Sequence, residues 1–449
     1  MIMMRFQFVK LAILIAMLLW GALKTCAQEN EACARKLLDF IVAGQGDSVY
    51  VHLSDDVRAK VSPAMFTEVF AQLERQFGKY QSKGEWKKDT SAGQVLYYCD
   101  VEFERNALRF LTAFEPNGKA NTIRFMPIPA TLATAAPLSP NKDNLEESAI
   151  EIVSGSYKLP GTLSLPKNLE KVPVVILVHG SGPNDRDETI GPNKPFRDLA
   201  WGLSERGIAV VRYDKRTHVY GTKWMPSGRE GTYDDETVDD ALAAIEWAEK
   251  NPSLNAKRIY VVGHSLGGML APRIAQRTKA LGGIVILSGN ARPLEDLILE
   301  QVTYISSLKD SSEVAKMQIE LIRAQVANVK KLGTDNYDTK VGLPFNLSTT
   351  YWQFARNYKQ VKTAAKLILP ILILQGERDY QVTMEDFKAW HAGLSHHKNV
   401  SFKSYPKLNH LYQEGIGKST PSEYTLAIPV AKYVVEDIAN WIKTGKVNK

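Results

Sequence analysis

The sequence predicts an α/β fold, a doubly wound and mostly parallel sheet with a helical cap insertion, preceded by a small α+β domain. From about residue 149 onward, apolar runs of strand length alternate with amphipathic helical stretches. Strands separated by helices are typical of right-handed βαβ units and of a parallel sheet that is buried on both faces. The runs that carry this prediction are 174–178, 208–213, 259–262, 284–287 and 371–374.

The length and composition of the chain fit one large domain or two ordinary domains. Of its 449 residues, 44% are hydrophobic and 23% are charged, which excludes a disordered or fibrous protein. The formal net charge of +7 is small, and the basic residues form no block. The sequence therefore gives no reason to expect a nucleic-acid partner.

The N-terminus has the pattern of a secretory signal peptide. Arg5 and Lys10 accompany an apolar run over residues 11–23, which is shorter than the roughly 20 residues that a membrane-spanning helix needs. The small residues that follow predict cleavage after Ala27, and hence a periplasmic or secreted protein with no stable membrane insertion. An uncleaved membrane anchor and lipoprotein processing at Cys26 are the alternatives.

Cleavage at that point would leave two cysteines, Cys33 and Cys99. In an oxidising compartment such a pair can form a disulfide, but geometry decides this, and two free thiols are the alternative. Neither cysteine has the CxxC spacing of a metal or redox site. The sequence therefore predicts no metal and no redox centre at these positions.

The segment 28–126 has the pattern of a small α+β domain. Ser62 and Pro63 form a helix-start signal, and apolar residues follow at helical spacing until Gly78 ends the run. From Val101 onward the apolar period changes to two, with turn residues between the runs, which predicts an antiparallel meander. No catalytic constellation occurs here, and binding, shielding and subunit pairing all stay open as roles.

The remaining boundaries come from prolines and from a break in the strand–helix alternation. Pro127 to Pro140 include four prolines among small residues, which is typical of a linker. A helix-rich stretch then interrupts the alternation between two strands, and this predicts a cap over the ligand-binding end of the sheet. The predicted segments are a signal peptide at 1–27, the small domain at 28–126, a linker at 127–148, and the α/β domain at 149–449 with its cap at about 292–366.

The cap is rich in aromatic side chains. We expect most of them to pack the cap onto the sheet and the others to line an apolar pocket with few fixed charges. Such a pocket fits a short uncharged acyl chain. The aromatic residues are Tyr304, Tyr337, Phe345, Tyr351, Trp352, Phe354 and Tyr358.

A serine motif lies between a predicted strand and a predicted helix. Residues 263–268 read GHSLGG, which contains the spacing G-x-S-x-G around Ser265. Glycines allow a sharp strand-to-helix turn, and this turn lifts the serine hydroxyl above the sheet in a strained backbone conformation. The helix that follows directs its backbone N–H groups towards a developing oxyanion. The motif predicts Ser265 as a nucleophile.

A serine nucleophile needs a base, and the base needs an acid that orients it. His410 follows the last predicted strand in a loop that can reach the serine, whereas His264 is expected to point away from it. Asp379 lies just past the strand 371–374, after a glycine-containing turn, and Glu377 is the competing acid. The chain order of Ser265, Asp379 and His410 is that of a catalytic triad.

A second glycine-rich turn follows the strand 174–178. Its residues 179–182 read HGSG. We expect the backbone N–H of Ser181 to form an oxyanion hole with the backbone N–H of Leu266. The alternative is a glycine turn without a catalytic role.

From about residue 150 to its end, the chain resembles the α/β-hydrolase superfamily, and all three triad positions match. Together, the segments 180–189 (GSGPNDRDET) and 213–216 (YDKR) are similar to a group of bacterial carboxylesterases with a small N-terminal domain of unknown function. The resemblance implies hydrolysis of small-molecule esters with short acyl chains, without a metal or an organic cofactor. The charged residues 185–187 either brace the oxyanion turn or are solvated.

Two other functions remain as alternatives. A serine peptidase of the prolyl-oligopeptidase type shares the triad, but the N-terminal segment is too short for a β-propeller and no acidic pair for a substrate amine is evident. A non-enzymatic binding scaffold on the same fold would predict a broken triad, which the sequence does not show. The natural substrate and the oligomeric state stay open.

Overall fold

The structure, a computed structural model, describes residues 30–59, 61–89, 95–104, 107–127, 144–225, 228–308 and 313–447. The predicted signal peptide and most of the predicted linker lie outside these ranges. The chain divides into two compact units, Met1–Pro129 and Ala130–Lys449. The exact boundaries given above for the domains and the linker stay predictions. None of the helices in the described ranges has the length and apolarity that a membrane crossing requires.

The described part of the first unit combines four helices with an antiparallel sheet. Its strands are ordered β1-β3-β4-β5, and β2 also pairs with β3. Pro63 begins the long helix and Gly78, at φ 86°, ends it, as the sequence predicts. The elements are α1 (30–42), α2 (Gly46–Tyr50), α3 (Asp55–Arg58), α4 (Pro63–Phe77), β1 (Tyr80–Lys83), β2 (Lys87–Asp89), β3 (Leu96–Phe103), β4 (Ala107–Phe114) and β5 (Ala120–Pro127).

The core of the first unit lies between its helices and one face of the sheet. Leu37 and Ile41 of α1 pack with Val101 and Phe110 of the sheet, and all four are buried. Cys99 lies in this core, and both it and Cys33 are free thiols. Because burial raises the pKa of Cys99 to about 12, its thiol stays protonated and unreactive near neutral pH.

The second unit is built on an eight-stranded sheet with the order β13-β12-β11-β10-β8-β9-β7-β6. β7 pairs antiparallel with both β6 and β9, and the other neighbours are parallel. The strands are β6 (Leu145–Ser154), β7 (Tyr157–Pro166), β8 (Val172–Val178), β9 (Ala209–Tyr213), β10 (Leu254–His264), β11 (Leu281–Leu287), β12 (Ile371–Gly376) and β13 (Val400–Tyr405).

Helices cover both faces of this sheet. The remaining α-helices are α5 (Pro195–Ser204), α6 (Arg216–Tyr220), α7 (Asp239–Lys250), α8 (Leu266–Gln276), α9 (Leu294–Ser307), α10 (Glu313–Val329), α11 (Thr349–Asn357), α12 (Gln360–Ala364), α13 (Met384–Leu394) and α14 (Lys432–Thr444). Short 3₁₀ turns lie at Gly221–Trp224, Pro344–Asn346 and Pro421–Thr425, and a π-helical turn at Asp234–Val238 leads into α7.

Successive residues of the central strand β8 enter two separate cores. Val174 and Ile176 pack with α7 and α8 on one face of the sheet, whereas Val175 and Leu177 pack with α5 and α14 on the other. A strand buried on both faces must be apolar at every position, which explains the unbroken apolar run from Val172 to Val178. The predicted doubly wound sheet is confirmed.

Four α-helices lie in the described residues between β11 and β12. These helices, α9 to α12, occupy the region in which the cap is predicted. They have a small core of their own, in which Ile298, Val329, Leu343 and Trp352 are buried together. The insertion therefore has its own small core, and it also packs onto the main domain through Tyr351, Tyr358 and Ala364.

Candidate active site

Ser265 lies on a sharp turn between β10 and α8. Its backbone has φ 53° and ψ −115°, a conformation that residues with a Cβ atom rarely adopt. The Ser265 N–H donates to the Leu287 carbonyl at 2.9 Å, and the Ser265 carbonyl accepts from the Met269 N–H at 2.9 Å. These bonds hold a conformation whose strain is of the order of 1–3 kcal/mol.

The glycines of this turn are required by close backbone contacts. A Cβ on Gly263 would lie 2.2 Å from the Gly267 carbonyl oxygen. A Cβ on Gly267 would lie 2.1 Å from the Val178 carbonyl oxygen of the neighbouring strand. Neither neighbour is a movable side chain, so the turn closes only with glycine at both positions.

The structure brings His410 and Asp379 together. His410 Nδ1 lies 2.6 Å from Asp379 Oδ2, and both side chains are buried. The other carboxylate oxygen, Oδ1, accepts the N–H groups of Gln381 and Val382 at 2.8 and 3.0 Å. An acceptor at Nδ1 places the proton of a neutral imidazole there and leaves Nε2 as the basic atom. The competing acid, Glu377, is exposed and accepts from the Ser404 hydroxyl at 2.7 Å.

Ser265 and His410 line the same cavity, which has a volume of about 670 Å³. In the described part of the chain, no hydrogen bond joins the Ser265 hydroxyl to His410. The walls are largely apolar and come from both the core and the cap. The apolar side chains that line the cavity include Ile190, Trp224, Leu297, Ile298, Phe345 and Leu347.

The two predicted oxyanion donors lie on the wall of this cavity. Ser181 follows β8, and Leu266 is the first residue of α8, where helical N–H groups have no partner within the helix. No acceptor among the described residues binds either N–H. The N–H of Gly180, one residue earlier, is in contrast bound by Glu188 Oε1 at 2.6 Å.

Glu188 and His264 form a buried, hydrogen-bonded pair next to the site. Glu188 Oε2 lies 2.8 Å from His264 Nδ1, and His264 Nε2 lies 2.9 Å from the His410 carbonyl oxygen. Since a carboxylate and a carbonyl both accept hydrogen bonds, both ring nitrogens of His264 donate, and the ring is an imidazolium. The pair therefore joins the loop of Gly180, the turn of Ser265 and the loop of His410.

The electrostatics agree with a charged pair. Burial by itself lowers the pKa of His264, but the Glu188 carboxylate and the His410 carbonyl outweigh it, and the pKa lies above its ordinary value. For Glu188 the directions are reversed. Burial by itself raises the pKa of this carboxyl group, but the His264 charge and the Gly180 N–H outweigh it, and the pKa lies below its ordinary value.

The sequence predicts that His264 points away from the serine and gives it no role in the site. The His264 ring binds Glu188, 76 residues away in the chain, and its centroid lies 4.6 Å from that of the His410 ring, with the two ring planes tilted by 48°. The position of Glu188 inside the 180–189 segment, next to the predicted oxyanion turn, singles out this acid in the sequence but does not indicate His264 as its partner.

The charged residues 185–187 brace the loop that carries the predicted oxyanion donor, Ser181. Arg186 makes two parallel bonds with Asp214, with Nε–Oδ1 at 2.9 Å and Nη2–Oδ2 at 2.7 Å. Asp187 is paired with Arg212, and Asp185 accepts backbone N–H groups within the loop. Of the two predicted readings, bracing is the one that the structure supports.

Two carboxylates line the cavity among the described residues, and both are already paired. Glu188 is bound as above. Glu236 lies 2.6 Å from the Lys215 ammonium and accepts the Tyr351 hydroxyl at 2.6 Å. Neither carboxylate is left to bind a cationic substrate group. Over the described ranges, no cluster of three or more histidine, cysteine or acidic side chains is arranged to hold a metal ion.

The sheet order, the strained serine between β10 and α8, and the histidine loop after the last strand define an α/β-hydrolase. Within this class, the chain belongs to the family described as serine aminopeptidase, S33, whose model matches residues 171–438.

Relatives include an esterase over most of the chain. Esterase EstD of Thermotoga maritima is 36% identical over 389 residues, which are 87% of this chain and 89% of EstD. Dipeptidyl aminopeptidase BIII of Pseudoxanthomonas mexicana is 28% identical over 147 residues, which are 30% of this chain and 20% of that protein. The solved structure of Est1E from Butyrivibrio proteoclasticus is 20% identical, with a TM-score of 0.42, and covers 66% of this chain and 99% of its own. The protein is a carboxylesterase-like hydrolase.

We predict that His264 carries a proton on both ring nitrogens at pH 7. Its folded-state pKa lies above the ordinary value of 6.5, so the His264 shift contributes stability that is fully present below pH 6.5 and is lost as the pH rises through the folded-state pKa. The pKa of Glu188 lies below its ordinary value, so the pair also loses its contribution in acid, as the pH falls through the folded-state pKa of Glu188. NMR of protein with ¹⁵N-labelled histidine measures this state, with His264→Asn to assign the signal. Glu188→Gln should lower the pKa. A neutral His264 ring at pH 7 would contradict the charged pair.

Proposed function

We propose that this protein hydrolyses small-molecule carboxylic esters through Ser265, His410 and Asp379, with an acyl-enzyme intermediate and no cofactor. The observation that carries the proposal is the buried Asp379–His410 hydrogen bond of 2.6 Å beside the strained Ser265, with serine and histidine lining one cavity. This arrangement supplies a nucleophile, a base and an acid that orients the base.

The acylation step transfers one proton twice. His410 Nε2 takes the proton of the Ser265 hydroxyl as Oγ attacks the ester carbon, and the carbonyl oxygen becomes an oxyanion that the N–H groups of Ser181 and Leu266 bind. The imidazolium, stabilised by Asp379, then gives its proton to the leaving alkoxide as the carbon–oxygen bond to the alcohol breaks. The acyl group remains on Oγ.

Deacylation repeats these steps with water. His410 removes a proton from a water molecule as the water oxygen attacks the acyl carbon, and the same N–H groups bind the second oxyanion. The bond between Ser265 Oγ and the acyl carbon then breaks, and Oγ takes the proton from the imidazolium. The carboxylic acid leaves, and the enzyme returns to its starting state.

Hydrolysis of aminoacyl amides is the second candidate, favoured by the description of the family and by the dipeptidyl aminopeptidase relative. An aminopeptidase must bind a substrate ammonium, and an unpaired charge buried in a pocket is costly. Both carboxylates among the described cavity residues are taken, Glu188 by His264 and Glu236 by Lys215. The cavity therefore favours uncharged acyl groups, and we propose ester hydrolysis as the function.

We further propose that the protein is exported and acts in the periplasm or outside the cell. The support is the apolar run 11–23 behind basic residues, followed by small residues up to Ala27. Expression of the full chain in a bacterium, with fractionation and N-terminal sequencing, should yield a periplasmic or secreted protein that begins at Gln28. Recovery of the intact N-terminus in the cytoplasm would contradict export.

Ser265→Ala and His410→Ala should each remove nearly all turnover of an aryl ester while the fold stays intact. Nucleophile and base act as one unit, so the double variant should be no slower than either single variant. A fluorophosphonate probe followed by peptide mapping should label Ser265 in the parent protein. Labelling at another residue, or effects of the single variants that multiply in the double variant, would refute the assignment.

Two matched variants test which acid orients His410. Asp379→Asn should lower kcat by roughly 10⁴, because an amide can offer His410 the wrong partner. Glu377→Gln changes an acid two residues earlier whose side chain is exposed, and it should leave kcat unchanged. The reverse ranking of these two variants would make Glu377 the acid.

Substrate class follows from the apolar cavity and its paired carboxylates. We expect hydrolysis of short-chain aryl esters such as acetates and butyrates, slower turnover of long acyl chains, and negligible cleavage of aminoacyl anilides. Both substrate series are measured as kcat/KM on the purified mature protein, with Ser265→Ala as the blank. A dipeptide or prolyl anilide that turns over faster than a butyrate ester would establish the peptidase alternative.

A further inference from the structure

We propose that Lys215 is a positioning residue that orients the Ser181 N–H towards the oxyanion, and that the cap holds Lys215 in place through Tyr351 and Glu236. The inference rests on the proposed function, in which the Ser181 N–H binds the oxyanion. It adds a cation and a link to the cap, neither of which belongs to the triad.

The argument begins with the peptide group that joins Gly180 to Ser181. Its carbonyl oxygen, on Gly180, accepts from Lys215 Nζ at 3.0 Å and from Asn184 Nδ2 at 3.2 Å. In a planar trans peptide the carbonyl and the N–H point in opposite directions. Fixing the Gly180 oxygen therefore fixes the direction of the Ser181 N–H, and Ser181 lines the cavity on the wall it shares with Leu266.

The preceding peptide group is held as well. The Gly180 N–H donates to Glu188 Oε1 at 2.6 Å, so residue 180 is bound on both sides. A Cβ on Gly180 would lie 3.2 Å from the Ser265 Cβ, which shows how closely this backbone approaches the proposed nucleophile. A rotation of the Gly180–Ser181 peptide would break both bonds to its carbonyl and turn the Ser181 N–H away.

The charge of Lys215 adds to the effect of its position. Lys215 is 2% exposed, so its ammonium acts on the peptide through a medium of low polarity. A cation on the carbonyl oxygen polarises the peptide group and makes its N–H a stronger donor. A fixed dipole aimed at the developing negative charge is the kind of group that lowers an acyl-transfer barrier.

A chain of hydrogen bonds connects Lys215 to the cap. Glu236, in the π-helical turn before α7, binds Lys215 Nζ through Oε1 at 2.6 Å, and its Oε2 accepts the Tyr351 hydroxyl at 2.6 Å. Tyr351 belongs to the cap helix α11, and its ring packs edge-on against Tyr233 at 4.7 Å. The position of α11 therefore determines whether the Glu236 carboxylate is bound by the Tyr351 hydroxyl. The Glu236 carboxylate in turn determines the position of the Lys215 ammonium.

The test removes both charges together. Lys215→Met with Glu236→Gln leaves no unpaired buried ion, and the glutamine can still bond to the Tyr351 hydroxyl. We expect kcat for an aryl butyrate to fall by about 10²-fold, within the range seen when one oxyanion donor is lost. KM should stay within about threefold, since the interaction strengthens only in the transition state. The affinity for a trifluoromethyl ketone, whose adduct with Ser265 carries an oxyanion, should fall by the same factor as kcat/KM.

The matched control is the next ion pair along the chain. Arg216 Nε lies 2.8 Å from Asp240 Oδ2, and both side chains are as buried as Lys215, but their bonds go to each other and to Ser154. Arg216→Met with Asp240→Asn should change the unfolding temperature by a similar amount and leave kcat and the inhibitor affinity unchanged. If both double variants lost kcat equally, the effect would come from general destabilisation, and the proposal would be overturned.

Tyr351→Phe tests the link to the cap and keeps both charges in place. Removing one hydroxyl should lower kcat and the inhibitor affinity together, by roughly three- to tenfold. In the Lys215→Met and Glu236→Gln background the same change should have no further effect on either quantity. An effect that multiplies in that background would mean that Tyr351 acts on the substrate directly, and an unchanged inhibitor affinity would refute the link.

The outcomes separate this inference from the proposed function. If Ser265 is labelled and Ser265→Ala is inactive, but the Lys215 and Glu236 double variant keeps its kcat and inhibitor affinity, the inference is wrong and the triad stands. If the fluorophosphonate probe does not label Ser265, the proposed function is wrong, and the inference that rests on it is wrong as well. Should the double variant not fold, Tyr351→Phe alone decides, through the parallel or unequal change of kcat and inhibitor affinity.

Discussion

The arrangement of the site depends on one buried carboxylate, that of Glu188. Its two oxygens bind different parts of the molecule, the Gly180 N–H through Oε1 and the His264 ring through Oε2. His264 in turn donates to the carbonyl of His410. These bonds fix the relative positions of three segments that are close only in the folded state, namely the loop of Gly180, the turn of Ser265 and the loop of His410. A neutral side chain could not bind His264 as an ion, and without an acid at 188 the imidazolium would be buried without a partner.

Similar contacts occur along residues 213–216, which begin with the last residue of β9. Tyr213 packs edge-on against His179, Asp214 holds Arg186, Lys215 binds the Gly180 carbonyl, and Arg216 pairs with Asp240 beneath them. The first three contacts reach the 179–189 loop, whereas the bonds of Arg216 go to Asp240 of α7 and to Ser154 of β6. Residues 213–215 thus brace the loop that carries the predicted oxyanion donor. This gives a physical reason for the joint occurrence of the two segments by which the chain resembles bacterial carboxylesterases.

Much of the fold could be predicted from the sequence because it depends on local pattern. Unbroken apolar strands, a proline at the start of α4 and the glycines around Ser265 are properties of neighbouring residues, and the structure has the corresponding elements. The supporting pairs of the site could not be predicted in the same way. Glu188 meets His264 across 76 residues and Tyr351 meets Glu236 across 115, and no local pattern encodes such a contact.

The charges that surround the cavity explain what kind of reacting group it suits. Carboxylates would repel an oxyanion, yet in the described lining both are neutralised by partners on the far side, His264 and Lys215. Lys215 is not among the residues that line the cavity, and both ring nitrogens of His264 are bound to Glu188 and to the His410 carbonyl, so neither cation is available to bind a substrate anion directly. The N–H groups of Ser181 and Leu266, beside the proposed nucleophile, have no acceptor among the described residues. A site with paired acids, paired cations and two such donors is complementary to a negative charge that forms only during the reaction, which is the condition for transition-state rather than substrate binding.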